Sequence, residues 1–520
     1  MVNSVNAYDV IVFGDEVYGV LAAVAAAREY RRRTQKYPYV LLMSKASLQE
    51  GIGGHLVRGG LAYLDRGQVE RSIRESLGLH TFGDPAKIYQ EFLQKSGVIS
   101  IALDPAKANL ALKEMLRDGG VALLSKVEIS KVNKQGKKIA SITTSKNQIF
   151  YGKQFIDATV NAELAQAAGV SKLKGFETFD LPESELPVTL VFTTQGLSVR
   201  RLKELEFAYL KRFTNLGDKD AQSWLLKAAG GDAQFAESLR KEMIEPRGNL
   251  KTLWADRDHI DIRSFALSVA YHAFRNKKLS LAENGILFDK GNIAILPGEK
   301  LSWNALMFAT SGTQAEELAK NAAKPTAQML EEMGFVQKWL KSLGATVITP
   351  ASELYIRHAG NVRSAVEPLT GAKMLMGGVP AGEALATFGY HFDVRGGILG
   401  IGEKALAKGF KSNRFSPPIF NIGIKHALIK DVPNLAVIGP GSGFEGYACS
   451  AGRIVEFNVA VGGGVGIAAI IALLSGKNLA DISNKEVRQV LAATNQVPRI
   501  YGISNMAEAA RLEKFEAVIA

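Results

Sequence analysis

Tyr8–Phe13 (YDVIVF) is a short β-branched run stopped by Gly14. Val20–Tyr30 is alanine-rich, and Val40–Met43 (VLLM) is again short and fully apolar. Short apolar runs bounded by turn residues read as buried strands, and the alanine stretch between them reads as a helix. Strand, glycine turn, helix and strand in this order form a crossover unit. It opens a doubly wound α/β sheet.

Asp104–Gly120 is an amphipathic helix with a glycine stop, followed by strands near Val121–Leu124, Lys126–Val132 and Ile139–Thr144. Gln154–Asp157 runs into DATVNAELAQAAG, again a strand, a turn and a helix. Near residue 180 the texture changes. Pro187–Thr194 reads as a strand of a second sheet, and longer helices follow over Val199–Phe213, Asp232–Met243, Ala315–Ala323 and Pro325–Leu343. Near residue 390 glycines return, and Asn434–Gly439 is one more buried strand. A chain of 520 residues exceeds one core at ~150 residues per domain. The expected architecture is a doubly wound domain over 1–178 and 386–476, interrupted by an α+β insert over 179–385. A helical tail over 477–520 completes it.

Composition excludes several classes. Hydrophobic residues are 47% and charged residues 22%, as in globular chains. Cys449 is the only cysteine, which removes disulfide scaffolds and cysteine-pair zinc sites. The N-terminus shows no export signal, so a cytoplasmic protein is expected. Phe457–Gly476 is uncharged and long enough to span a bilayer. It holds Gly462, Gly463, Gly464 and Gly466 and lacks aromatic flanks, so it reads as a buried helix with no membrane span. Lys and Arg exceed Asp and Glu by 63 − 51 = 12. The basic residues are dispersed, and the densest run, Arg28–Lys36, closes a helix, where cations suit the negative end. No nucleic-acid partner is expected. The 51 glycines exceed the usual ~7%.

Gly14-Asp15-Glu16-Val17-Tyr18-Gly19 has the first and third glycines of a dinucleotide fingerprint. The second, which lets a pyrophosphate approach, is Glu16. A carboxylate ~4 Å from a phosphate at an effective dielectric of ~20 repels it by about 4 kcal/mol. Asp15 and Glu16 could equally serve the helix N-terminus. Residues 51–60 (GIGGHLVRGG) carry five glycines, with His55 and Arg58 as the loop's cations. Such a loop suits a flat or charged ligand, or a plain turn. Ser450-Ala451-Gly452-Arg453 and the 462–466 glycines read as a helix start with bare backbone.

These pieces in this order resemble the FAD-dependent oxidoreductase family with a glutathione-reductase type of FAD domain, related to fumarate reductase and succinate dehydrogenase flavoproteins. The likeness covers almost the whole chain: YDVIVFG at the start, the Gly53-Gly54…Gly59-Gly60 loop, Phe155–Leu164 (FIDATVNAEL), Val432–Gly439 and Gly462…Gly466. It implies FAD held by Gly14, Gly19, Ser44, Gly53, Gly54, His55, Val127, Ala158, Thr159, Gly439, Gly462 and Gly466. Departures are Glu16 and Val160 where the family carries glycine, Ser44 in place of an acidic ribose ligand, and a loop lengthened by EYRRRTQKYPY. The resemblance also implies catalytic arginines. Tyr355–Arg363 is similar to an R-x-x-R segment, giving Arg357 and Arg363. Tyr390–Arg395 resembles an aromatic-Asp-x-His element, giving Asp393 and Arg395. Arg453 precedes the flavin-side helix. Each arginine alone could be a structural ion pair.

Two functions are therefore expected. The first is hydride transfer between FAD and a small organic substrate, with carboxylates among those that arginines suit, and with an electron donor or acceptor that the sequence does not disclose. The alternative is a degenerate FAD fold with weak or no flavin binding, acting as a binding or scaffold protein. Cys449 reads as a small core residue. Gly400–Ala405 has GxGxxA spacing but follows no long strand.

Overall fold

The computed structural model describes residues 6–394 and 397–519; Arg395 lies outside them. The opening folds as its pattern predicts. β1 (Ala7–Phe13) lies parallel to β2 (Val40–Met43), and β2 lies parallel to β3 (Ala122–Leu124). β4 (Ile129–Gln135) and β5 (Lys138–Thr144) form an antiparallel flap. β6 (Ile149–Asp157) is shared. Its first residues pair antiparallel with β5, most of its length pairs parallel with β1, and its end takes up Leu435–Val437 in parallel. The resulting order is β3-β2-β1-β6-β5-β4 with Leu435–Val437 beside the end of β6. Last third and first third thus share one sheet. Because β1 and β6 end side by side, a crevice opens at Phe13 and Asp157, where sheets of this class bind ligands.

The helix after β1 runs Val17–Thr34 and is buried over most of its first three turns. Its basic end is a solvated terminus: Arg32 and Arg33 pair with Glu29, and Arg28 pairs with Glu91. Across the sheet face it meets the Val455–Ser475 helix. A Cβ on Gly462 would lie 2.6 Å from the Tyr18 carbonyl oxygen, and one on Gly466 would collide with that of Ala22. These glycines let two backbones touch. They do not start a helix, since the helix begins at Val455. That correction follows from glycine's two uses: bare backbone serves a ligand or a second helix equally well. Among the described residues this is the one helix long and apolar enough to cross a membrane, and 89% of its apolar window is buried inside the protein.

The middle third builds the second sheet, all antiparallel. β7 (Val188–Gln195), β8 (Trp254–Ala255), β9 (His259–Asp261), β10 (Ile286–Leu296), β11 (Lys300–Phe308) and β12 (Val347–Pro350) take the order β12-β7-β11-β10-β9-β8. Along β11 side chains alternate. Leu301, Trp303 and Ala305 join a core with the helices Val199–Thr214, Ala266–Arg275 and Ala327–Ser342. Ser302 and Asn304 face the other way, where Ser302 Oγ donates to the Gly60 carbonyl. The second sheet therefore lies over the 51–60 loop. Leu369–Thr370 and Ala386–Gly389 pair with Phe444–Glu445 and Ile419–Ile422.

Candidate functional site

The crevice begins at Gly14. Its φ of +112° excludes a side chain, and a Cβ there would meet the Ala158 carbonyl carbon at 2.6 Å. Gly19 packs on Ala158 in the same way, 2.5 Å from its Cβ. Asp157, at the end of β6, accepts from Thr159 N and Oγ1 and from Ala165 N, at 2.7–2.9 Å. Burial pushes its carboxyl up to about 6.

Two carboxylates fill the loop between these glycines. Asp15 accepts from both terminal nitrogens of Arg58, at 2.5 and 3.0 Å, and from Ser44 Oγ at 2.7 Å. Arg58 Nε in turn donates to Glu353 at 2.7 Å, and Nη1 also donates to the Gly51 carbonyl. Desolvation opposes the charge on Arg58, but the two carboxylates outweigh it and raise its pKa. Glu16 turns toward the 51–60 loop. It accepts from His55 N at 3.3 Å and lies 2.6 Å from His55 Nδ1. A Cβ on Gly54 would run into its carboxylate. The His55 ring stacks on Tyr355, 4.9 Å between centroids. Lys45 is bound to Glu163 at 2.7 Å. Tyr18 lays its ring against Gly439, within 2.7 Å of where a Cβ would stand.

A second centre lies beyond the first. Arg453 is buried, and its guanidinium faces the hydroxyls of Tyr355 (3.4 Å) and Tyr390 (3.3 Å), Asp65 at 3.6 Å, and Asp393, to which it donates at close range. Desolvation opposes its charge, yet its pKa stands well above the ordinary value because of the tyrosines and acids around it. Tyr390, Asp65 and Asp393 line a cavity of about 590 Å³ between the second sheet and the connecting segments of the first unit. From the first unit come Tyr63, Arg66, Gln68, Phe82 and His391, and from the second Trp254, His259 and Asn292. Asp258 ties the two sides together. It accepts from Ser100, Ile101 and Ala102 N at 2.9–3.1 Å and from the His259 ring at 2.8 Å. Tyr63 Oη donates to Asp261 at 2.8 Å. Arg66 is held against Glu456, in the first turn of the long helix, at 2.8 Å.

Residues 9–491 match the model of the family described as FAD dependent oxidoreductase. The chain belongs to that family. Curated proteins offer no match. Among solved structures the family member is similar to L-proline dehydrogenase from P. horikoshii, at 11% identity and TM-score 0.35, over 94% of this chain and 99% of that one. It is also similar to a geranylgeranyl bacteriochlorophyll reductase-like protein from Thermoplasma acidophilum, at 10% and 0.36, over 99% and 88%. A third is a mutant of halogenase PltM in complex with FAD, at 11% and 0.36, over 94% and 75%. All three are remote.

FAD is the family's cofactor, and the α/β fold with its parallel sheet is the fold expected of the family. The side chains of this oxidoreductase, as they stand, leave no room for that cofactor. The space left among Gly14, Ala158, Thr159, Lys45 and Arg58 is about 80 Å³, against ~300–1,000 Å³ for a cofactor-sized pocket. Its lining carries Asp15, Glu16, Glu163 and Glu353 against Lys45 and Arg58, and both cations are already paired. The diphosphate would meet uncompensated negative charge.

The expected cofactor residues fall into three groups. Gly14, Gly19, Gly53, Gly54, His55, Ala158 and Thr159 surround the filled cleft. Ser44 and Val127 are buried beside it, where Ser44 Oγ serves Asp15 and Val127 N donates to the Ser44 carbonyl. Gly439 is covered by Tyr18, and Gly462 and Gly466 face the Val17–Thr34 helix. Of the expected catalytic residues, Asp393 and Arg453 come together. Arg357 is buried behind Tyr355, its guanidinium 4.4 Å from that ring, and donates to the Pro187 carbonyl. Arg363 is not brought to either centre: it is exposed, 3.2 Å from Glu177. Its neighbour Val362 turns inward and makes an isolated bridge to Lys172, while Arg363, in an irregular segment, faces solvent. Cys449 is buried, and burial raises its thiol pKa. The sequence reading missed Asp65 and Glu353. Tyr18 entered the sequence pattern only as a member of the Gly14–Gly19 segment.

Proposed function

We propose that this family member is an oxidoreductase acting on a small organic molecule held in the cavity beside Arg453. The observation that carries the reading is the cavity itself. It is large enough for a substrate, is built jointly by the second sheet and by segments 63–101 and 390–393 of the first unit, and is backed by a buried arginine whose charge is balanced by Asp65 and Asp393. Tyr63, Phe82, Trp254 and Tyr390 give it aromatic walls; Gln68, His259 and His391 give it polar anchors. Tyr355 and Tyr390 hold the guanidinium in place behind the wall, so Arg453 fixes Asp65, Asp393 and Tyr390, which face the cavity. Hydride exchange with flavin, the finer expectation, requires FAD in the cleft. A domain split at residues 178, 385 and 476 and a cytoplasmic setting belong to the same reading. The large apolar core confined mainly to residues 188–359 supports an insert, although Met374 and Leu385 pack with the chain's two ends, and the single buried cysteine suits a reducing compartment.

Trp254 lies on the cavity wall and reports its filling. Small carboxylates, amines and aromatic alcohols are titrated against tryptophan fluorescence, with Trp254→Phe as the control. A ligand whose signal and thermal shift vanish in Arg453→Met supports the site. A ligand that binds equally well to that variant removes it. Dye reduction with the same ligand and added FAD then separates turnover from binding. Binding without turnover is the second reading, and the filled cleft favours it.

A further inference from the structure

Asp15 and Glu16 offer the cleft what a diphosphate would: two adjacent anionic groups at the N-terminus of a long helix. Glu16 is the N-cap of that helix, yet its side chain makes no capping hydrogen bond. Serving the helix end is therefore not its role. It reaches across to the 51–60 loop and accepts the His55 N–H, while Asp15 takes the Gly53 N–H at 3.4 Å. The loop backbone also pairs directly with Glu16, at Gly53. Backbone N–H groups beside a helix N-terminus are the donors that a phosphate would use. The cradle is thus intact, and the chain's own carboxylates occupy it.

Two orphan atoms mark the same place. Tyr18 Oη and His55 Nε2 are buried without a hydrogen-bond partner. Buried polar groups are nearly always paired, so two unpaired ones, one on the helix that Glu16 caps and one on the loop that it meets, indicate that the present packing is incomplete. Asp15 is locked by Arg58 and Ser44. Among the described residues Glu16 is held only by one backbone N–H and one imidazole, so it is the group that can leave.

We propose that Glu16 competes with the FAD diphosphate for the donors of the 51–60 loop, so that displacement of this one carboxylate controls entry of the dinucleotide. The inference rests on the misfit of FAD to the cleft and is independent of the cavity reading. Tyr18 acts in the same sense from the far side, because its ring must leave Gly439 before a flavin can pass.

The test uses the full chain freed of flavin. FAD is titrated into wild type, Glu16→Gln and Glu16→Gly by flavin fluorescence, and melting temperature is followed with FAD or inorganic pyrophosphate. Glu16→Gly should bind FAD ~100-fold more tightly, equivalent to about 2.7 kcal/mol, with Glu16→Gln between it and wild type. Pyrophosphate should raise the melting temperature of Glu16→Gly and leave wild type unmoved. Equal FAD affinity across the three proteins, or tightest binding by wild type, would overturn the proposal. If Glu16→Gly does not fold, the isosteric Glu16→Gln decides it by the same comparison. Trp254 fluorescence reads the cavity and flavin fluorescence reads the cleft, so failure of one reading is not failure of the other.

Discussion

Arg58 is the residue on which the filled cleft depends. It is buried between Asp15 and Glu353, and no other cation reaches either acid at salt-bridge distance among the described residues. Removing one partner from a buried ion pair leaves an uncompensated charge, which costs roughly 3–5 kcal/mol. Arg58→Ala should lower unfolding free energy by that order in urea, and adding Asp15→Asn should return part of it, because the stranded charge is then gone. Only half of this network was legible in the sequence. The glycines and Glu16 announced themselves, since a carboxylate at a position that wants bare backbone breaks a local pattern. Glu353 did not. Its partner lies 295 residues away, and nothing local in SELYIR marks one acid as buried. Arg363 was misplaced for the converse reason: its spacing from Arg357 suggested a pair, but an irregular segment carries no period that would put both on one face.

At the scale of elements, the Val455–Ser475 helix shows how glycines in one cluster differ. Gly466 touches the Ala22 carbonyl, whereas Gly463 would place a Cβ 3.4 Å from Ile88 Cγ2, an ordinary contact. Gly466→Ala should destabilise by about 1–3 kcal/mol through overpacking. Gly463→Ala should stabilise by ~0.5–1 kcal/mol, because alanine is the better helix former. Thermal melts of the two single variants, shifting in opposite directions, check this. The C-terminal helix Met506–Ile519 offers a pH test. Burial raises the Glu516 carboxyl to about 7, although its hydrogen bond from Tyr447 N favours the ionised form. A carboxyl raised in the folded state is bound to its proton more tightly there than in the unfolded chain. Its contribution is complete at acidic pH and is lost as pH rises toward and through 7. Glu516→Gln should therefore match wild type near pH 4, gain on it as pH rises from there, and exceed it at pH 8 by at most ~3 kcal/mol. Most elements were legible where apolar periodicity was strong. Val199–Thr214 and Ala327–Ser342 lie within two residues of expectation. The start of the long helix was not, because Val455–Val461 has no period at all: it is buried on every side.

For the whole molecule, two cores meet at one cavity, and Asp258 and Tyr63 are the fasteners between them. Asp258→Ala strands three backbone N–H groups of residues 100–102, each worth ~1–3 kcal/mol when left unpaired in a dry site. It should loosen the cavity before either core unfolds. Hydrogen exchange would show faster exchange at 100–102 and 259–261, with protection of β1 and β6 unchanged. Loss of protection throughout would instead mean that the two units unfold as one.

The contact between the Val17–Thr34 and Val455–Ser475 helices also sets a timetable. These elements are separated by about 420 residues of chain. At ~5–20 residues per second of synthesis, the first waits roughly 20–80 seconds for the second. Throughout that interval its alanine face has no partner and β6 lacks its Leu435–Val437 neighbour. When the late helix emerges it is apolar enough to be taken for a membrane segment. The two halves of this contact are thus made far apart in time, and the early helix keeps an unpartnered apolar face until the late one arrives.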